Sequence, residues 1–509
     1  MGGIAVQTGR QSFDLIFCDS FINPGPLESI TGSYNMADGL TIVGIIMIIQ
    51  VVLVFFIIFD QRRNPTSAIG WILALLLLPV VGFFLYLFFG QDWTKRRIFT
   101  LKAGDDQQLA EVVASQHREL ERLSREREGL PQERFISIAR MLLDSNRAFI
   151  TNDNTLTVFT DGTAKFASLF DAIRAAKHHV HLEYYIIRND PLSRELIGIL
   201  TRKAQEGVEV RLLADDLGMK LKKKDLKDFE QAGGKHAVFF PRIFTLNYRN
   251  HRKIAIIDGT TGFIGGYNIG EEYLGKGPLG YWRDAAIKIE GTGVNGLQLR
   301  FFMDWNYASG EDLASSPVYF PDTKGPGSCP LQTVSSGPDA RWSVIKEGYV
   351  KMILTARESV YIQTPYFVPD DSISDALRIA AHSGVDVRIM IPCKPDHPFI
   401  YWSTRSFVAD LLDSGVRAYS YENGFIHAKT IVVDGIAASV GSANFDIRSF
   451  RLNFEANSFF YDPEYGGQMK KAFLDDLPKC TEITLEDYQK RSRWIKAKES
   501  VSRLFSPLG

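Results

Sequence analysis

The chain is written twice. The helix-then-strand unit "AIRAAKHHVHLEYYII" returns as "MILTARESVYIQTPYFV", and "LIGILTRKAQEGVEVRLLADD" returns as "ALRIAAHSGVDVRIMIP". Val360 falls opposite Val180 and Gly384 opposite Gly207, with an offset that drifts by only a few residues. Self-similarity at a near-constant spacing marks a duplicated architecture, so whatever the first copy folds into, the second must fold into as well. Within each copy, helical periodicity alternates with short strand-like runs. That pattern predicts an α/β fold whose helices cover a sheet on both faces, as two α-β-α halves related by a pseudo-twofold. "PDTKGPGSCPLQTVSSGPD", Pro321 to Asp339, is rich in Pro, Gly and Ser and reads as a linker, leaving halves at 150–320 and 340–480.

The densest chemistry also occurs twice. "HRKIAIID" runs from His251 to Asp258, and "HAKTIVVD" from His427 to Asp434, with histidine, lysine and aspartate at the same spacing. A glycine–asparagine element follows each at a fixed distance: "GGYN" (Gly265 to Asn268) and "GSAN" (Gly441 to Asn444). In a strand, residues two apart share a face, so His251 and Lys253 point together, as do His427 and Lys429. Two halves facing each other would bring both pairs to one cleft. Imidazole serves as nucleophile when neutral and as acid when protonated, both near neutral pH. The lysines, with Ser442, Asn268 and Asn444 as donors, would hold a phosphate and stabilise charge building on its oxygens. One histidine then attacks phosphorus while the other protonates the leaving oxygen and later deprotonates the acceptor. The lysines supply the positive charge a divalent ion would bring, so neither metal nor cofactor is expected.

The motif aspartates, Asp258 and Asp434, belong to the candidate catalytic triplets. They fall off the shared face and are expected to hold the strand and neighbouring loops. Asp284 in "YWRDAAIKIEG" and Glu455 in "LNFEANSFFYD" occupy matching places after the two asparagines and are the candidates for orienting the imidazoles. Which carboxylate serves which histidine stays open at this level. His178, His179 and His181 lack partner ligands at metal-binding spacing and read as strand and helix-end residues.

Two apolar runs precede the halves, at 40–59 and 68–89. Each is long enough to span a bilayer's hydrocarbon core of ~30 Å at ~1.5 Å per residue. They predict a transmembrane hairpin over 38–97, after an N-terminal segment 1–37. Buried core helices or a re-entrant hairpin are the alternatives. Arg62 and Arg63 lie in the short loop, whereas Lys95, Arg96, Arg97 and Lys102 follow the second run. This charge balance places the downstream portion on the cytoplasmic side. Residues 98–149 are charged and read as a helical connector with a narrow apolar stripe. The tail 481–509 is basic and amphipathic, fit either to lie on anionic lipid or to dock as an ordinary terminal helix. The formal net charge of −1 lacks the basic excess of a nucleic-acid binder, so no nucleic-acid partner is expected. The scattered cysteines Cys18, Cys329, Cys393 and Cys480 suggest neither a disulfide framework nor a zinc site.

At the paired motifs the chain resembles the phospholipase D superfamily, whose signature is two H-x-K-x4-D motifs, each followed by G-[GS]-x-N. Within it, "RNHRKIAIIDG", "GGYNIGEEY", "QTPYFVPD" and "GSANFDIRSFRLNFE" are similar to the bacterial cardiolipin synthase subgroup. The resemblance implies two phospholipase D-like halves and transfer of a phosphatidyl group between two phosphatidylglycerol molecules, yielding cardiolipin and glycerol. It also implies His251 as nucleophile and His427 as acid–base, with residence in the bacterial inner membrane. A hydrolytic phospholipase D is the alternative, and a homo-oligomer is compatible with the sequence. Gly266 stands where the superfamily motif usually carries serine, which makes the halves inequivalent.

Overall fold

The computed structural model describes residues 106–239, 247–313, 316–321 and 324–506, together with 44–45, 47–55, 65–78, 81–82 and 86 nearer the N-terminus. The chain divides into two units, 1–87 and 88–509.

In the first unit, residues 47–55 and Pro65–Leu77 are helical. Leu75 and Tyr86 are buried, with Trp71 edge-on to Tyr86. Ile48, Val52, Leu73 and Leu77 are exposed. No helix among the described residues is long and apolar enough to cross a membrane. The expected spans 40–59 and 68–89 lie partly outside the described residues, and the segment 1–37 lies wholly outside them.

The second unit is built on one 16-stranded sheet. Outward from its centre, the first half runs Ile150–Phe159, Ala286–Glu290, Thr261–Gly265, Lys253–Ile257, His179–Tyr184, Glu209–Asp215 and Lys235–Phe239. The second half repeats the order with Cys329–Ser336, Asn453–Tyr461, Ala437–Gly441, Thr430–Val433, Ser359–Gln363, Asp386–Pro392 and Arg417–Tyr421, and adds Cys480–Ile483 at its edge. The two innermost strands pair antiparallel, Ile150 opposite Gln332, which relates the halves by the expected pseudo-twofold. Central strands such as Lys253–Ile257 are buried on both faces because helices cover both, so their apolar runs are nearly continuous. Gly162–Ala175 and Pro191–Gln205 bury one face of the first half. Val294–Ser309 covers the opposite face and shares a core with strands of both halves.

One segmental expectation is corrected and another is extended. The linker 321–339 contains Cys329–Ser336, a strand at the sheet's centre with Leu331 and Val334 buried. Its flanking Pro, Gly and Ser residues disguise a short run whose pairing partners are remote in sequence. The connector 98–149 is not merely a bridge. Its helix Ile136–Asn146 buries Ile138, Ala139, Leu142 and Leu143 in the core of the second half, beside Tyr349, Met352 and Phe459.

Candidate active site

The local route to the site is the same in both halves. A turn with Asp258 and Gly259 at φ +53° and +67° joins Lys253–Ile257 to Thr261–Gly265, and Asp434 and Gly435 repeat it at +56° and +65°. Positive φ at both central residues suits a tight hairpin, and Asp–Gly is a favoured pair for it. Each aspartate then accepts three backbone N–H groups from the start of the neighbouring strand. Asp258 takes those of Lys177, His178 and His179 at 2.8–3.0 Å. Asp434 takes those of Arg357, Glu358 and Ser359 at 2.7–3.0 Å, and Arg134 pairs with it. Their carboxylates are therefore committed to holding the hairpin and the neighbouring strand, the role that strand alternation assigns them.

The site itself is made by strand exchange between halves. Arg249–Asn250, immediately before His251, pairs with Asn453–Phe454, immediately before Glu455. Phe425–Ile426, immediately before His427, pairs with Trp282–Arg283, immediately before Asp284. The pairing continues through His251 N to Phe454 O at 2.9 Å and His427 N to Arg283 O at 2.7 Å. Each histidine is thus laid beside the carboxylate of the other half. His251 Nδ1 lies 3.0 Å from both oxygens of Glu455, and His427 Nδ1 lies 2.5 Å from Asp284 Oδ2. With Nδ1–H donated to a carboxylate, each Nε2 keeps its lone pair for chemistry.

Both lysines are buried beside these rings. Lys429 Nζ is 3.1 Å from His427 Nε2, and each ammonium also donates to the backbone carbonyl of its own histidine. The charge of Lys429 bears on His251 and that of Lys253 on His427, so the two halves share one electrostatic site. Burial pulls both imidazoles down to about 4, although Glu455 and Asp284 work to raise them. It likewise lowers Lys429 to about 8 and Lys253 well below its usual value. Burial works to raise Glu455, but His251, Lys253 and Ser442 outweigh it and keep the carboxyl below its usual range.

The expected phosphate donors sort differently. Ser442 Oγ donates to Glu455 and accepts from Ala456 N at 3.0 Å, so it fixes the carboxylate. Asn268 accepts from Ile186 N at 3.1 Å and donates to Tyr273 Oη at 3.2 Å, holding that phenol 3.3 Å from His427 Nδ1. Ser442 and Asn268 thus brace the carboxylate of Glu455 and the phenol of Tyr273. Asn444 Oδ1 is buried without a hydrogen-bond partner among the described residues. Gly266 has a physical reason: a Cβ there would lie 2.0 Å from Asp284 Oδ1.

Motif spacing missed the aromatic walls and the arginine braces. Tyr185 stands edge-on to His251 at 4.9 Å, and Trp282 lies against His427 at 5.0 Å. Arg252, facing away from His251 and Lys253, donates to the Glu455 carbonyl at 3.2 Å and to Asp304 at 2.6 Å. Arg283 does the same for the other carboxylate, reaching the Asp284 carbonyl at 2.7 Å and Asp476 at 2.8 Å. Behind each brace sits a matching residue of the central strand. Gln363 donates to Asp476 at 3.1 Å, and Glu183, with a pKa raised by burial and by Asp304, sits beside Asp304 and Asn250.

A family model described as cardiolipin synthase, PLD-like domain, matches residues 169–291 and 349–477, one in each half. The chain is 47% identical over 469 residues to "Cardiolipin synthase 2" of Staphylococcus epidermidis, covering 91% of this chain and 96% of the relative. The chain belongs to the phospholipase D-like cardiolipin synthase family. It is also 46% identical to the "Major cardiolipin synthase ClsA" of Bacillus subtilis strain 168, over 92% of this chain and 98% of that one. A second family model, phospholipase D-nuclease N-terminal, matches residues 48–91. In fold, the chain is similar to phosphatidylserine synthase of Haemophilus influenzae Rd KW20, with a TM-score of 0.58 and 15% identity, over 73% of this chain and all of that one.

Proposed function

We propose that this protein is a membrane-bound phosphatidyltransferase that makes cardiolipin from two phosphatidylglycerol molecules and releases glycerol. The observation that carries the reading is the pair of buried imidazoles, each oriented by a carboxylate of the opposite half and each sensing both lysines. In the first step His251 Nε2 attacks phosphorus, forming a P–N bond as the P–O bond to the headgroup glycerol breaks. His427, charged when the phosphodiester anion is bound, delivers its proton to that oxygen. In the second step neutral His427 takes the proton of the second lipid's headgroup hydroxyl. That oxygen attacks phosphorus and expels His251. Lys253 and Lys429 neutralise the equatorial oxygens throughout.

The aromatic walls and low exposure of both rings suit a transferase, which must keep water from the phospho-histidine. The N-terminal family match over the apolar runs supports a multi-pass anchor in the bacterial inner membrane. The basic residues after the second run favour the cytoplasmic side for the catalytic halves. The test is mass spectrometry of products from purified protein and defined phosphatidylglycerol. Cardiolipin with equimolar glycerol is expected. Phosphatidic acid as the main product would replace the transferase with a hydrolase.

A further inference from the structure

The C-terminal helix Arg493–Phe505 docks with the wrong face for a simple core helix. Its buried positions are polar: Glu499 is 2% exposed and Ser502 5%. Glu499 accepts from Arg491 at 2.6 Å and Tyr488 at 3.3 Å, and Arg503 pairs with Asp410 on the helix Pro398–Leu412. Three large apolar residues point outward, while Ile495 is half-buried. Trp494 is 70% exposed, Val501 56% and Leu504 74%, and Ala497 lies between them. At 3.6 residues per turn, positions 494, 497, 501 and 504 form one stripe. Arg493 borders the stripe on one side and Lys498 on the other.

That stripe continues towards the active site. Lys498 Nζ lies 5.6 Å from the Trp494 ring and 5.2 Å from the Trp402 ring, joining the two helices' aromatics under one cation. Trp402, half-buried, belongs to "PFIYW" at the start of Pro398–Leu412, where Phe399 is exposed. Just ahead of that turn, Asp396 pairs with Tyr366 and its charge bears on Lys429. Aromatic and aliphatic side chains bridged by Lys498 thus extend from the turn that follows Asp396 along the terminal helix.

We infer that this surface, Phe399 and Trp402 with the Trp494–Leu504 stripe, is seated on an anionic phospholipid bilayer and holds the cleft's rim against the lipid. Water is a poor environment for so much adjoining apolar area. Tryptophan prefers the headgroup level, where its ring is half wet, and cations on both sides of an apolar stripe match anionic headgroups. A protein partner or a second copy would bury the stripe equally well but gives no reason for the flanking cations. The binding half of the inference stands on this surface alone. Its catalytic half rests on the reading that the substrates lie in the bilayer.

The test uses the full chain, wild type and a Trp494→Ser/Val501→Ser/Leu504→Ser variant. Both are reconstituted in vesicles of phosphatidylglycerol and phosphatidylcholine, and both are assayed in detergent–phosphatidylglycerol mixed micelles. Brominated phosphatidylcholine should quench wild-type tryptophan emission more than that of a Trp494→Phe protein. The triple variant should keep its micellar turnover within about twofold and raise its apparent KM for vesicle phosphatidylglycerol fivefold or more. Equal quenching of wild type and Trp494→Phe would overturn the inference. So would a wild-type dimer by light scattering that the triple variant dissociates, with vesicle KM unchanged. Absence of cardiolipin from wild type in both media would instead refute the proposed reaction, leaving the quenching result to stand.

Discussion

Replacing Gly266 with serine puts into the first half the residue that the second half carries as Ser442. A Cβ at 266 would lie 2.0 Å from Asp284 Oδ1 and 2.7 Å from its Cγ. Carboxylates usually swing away from such a clash, but this one is pinned by Ala285 N at 2.7 Å and His427 Nδ1 at 2.5 Å. Moving it gives up its hydrogen bond to His427, and a hydrogen bond to a charged group contributes about 1.5–3 kcal/mol. At about 1.4 kcal/mol per decade, kcat/KM should fall roughly 10- to 150-fold. Gly266→Ala should match that loss, because the Cβ alone causes it. Ser442→Gly removes one hydroxyl from Glu455 and should cost only about 1 kcal/mol, roughly fivefold. Cardiolipin formation measured by mass spectrometry, beside thermal unfolding to confirm folding, reads all three. Gly266→Ser and Gly266→Ala both within twofold of wild type would refute the claim that Asp284 orients His427 from this position.

Glu183 and Gln363 hold corresponding places, so Glu183→Gln should keep its unfolding midpoint and activity, whereas Glu183→Ala strands Asn250 and should cost about 1–3 kcal/mol in denaturant titration. Burial holds His251 and His427 at about 4, and His179 and His181 at about 3, all below the ordinary histidine value of about 6.5. The unfolded chain therefore binds more protons in acid, and stability present above about 6.5 should drain away as pH falls towards 4; a flat midpoint across that window, by thermal unfolding, would contradict the burial of these rings. Lys429 titrates at about 8, so kcat/KM for phosphatidylglycerol should fall as pH rises through that value, a limb that Lys429→Arg should move upward. Asp258→Ala orphans three backbone N–H groups and should destabilise by about 2–4 kcal/mol while folded protein keeps its chemistry, separable by comparing unfolding with activity per folded molecule.

The duplication, the two histidine–lysine pairs and both orienting carboxylates were legible in the amino-acid order, because strand period and motif spacing are local properties. The role of the motif aspartates was legible too, since the alternation that joins His251 to Lys253 turns Asp258 away. The strand Cys329–Ser336 was hidden, because what makes it central is a neighbour at Ile150 and another at Asn453–Tyr461. Arg252 reads as a filler between two motif residues until Asp304 and the Glu455 carbonyl are beside it.

What residue order alone determined is which groups recur together: imidazole, ammonium and carboxylate in duplicate, at or beside the ends of short strands. Only the tertiary structure decided the partnerships. Glu455 serves His251 and Asp284 serves His427 because short strands cross between halves and pair in parallel, Arg249 with Asn453 and Phe425 with Trp282. Backbone hydrogen bonds between segments so far apart in the chain are chosen by the packing of two whole halves, and no local pattern encodes them.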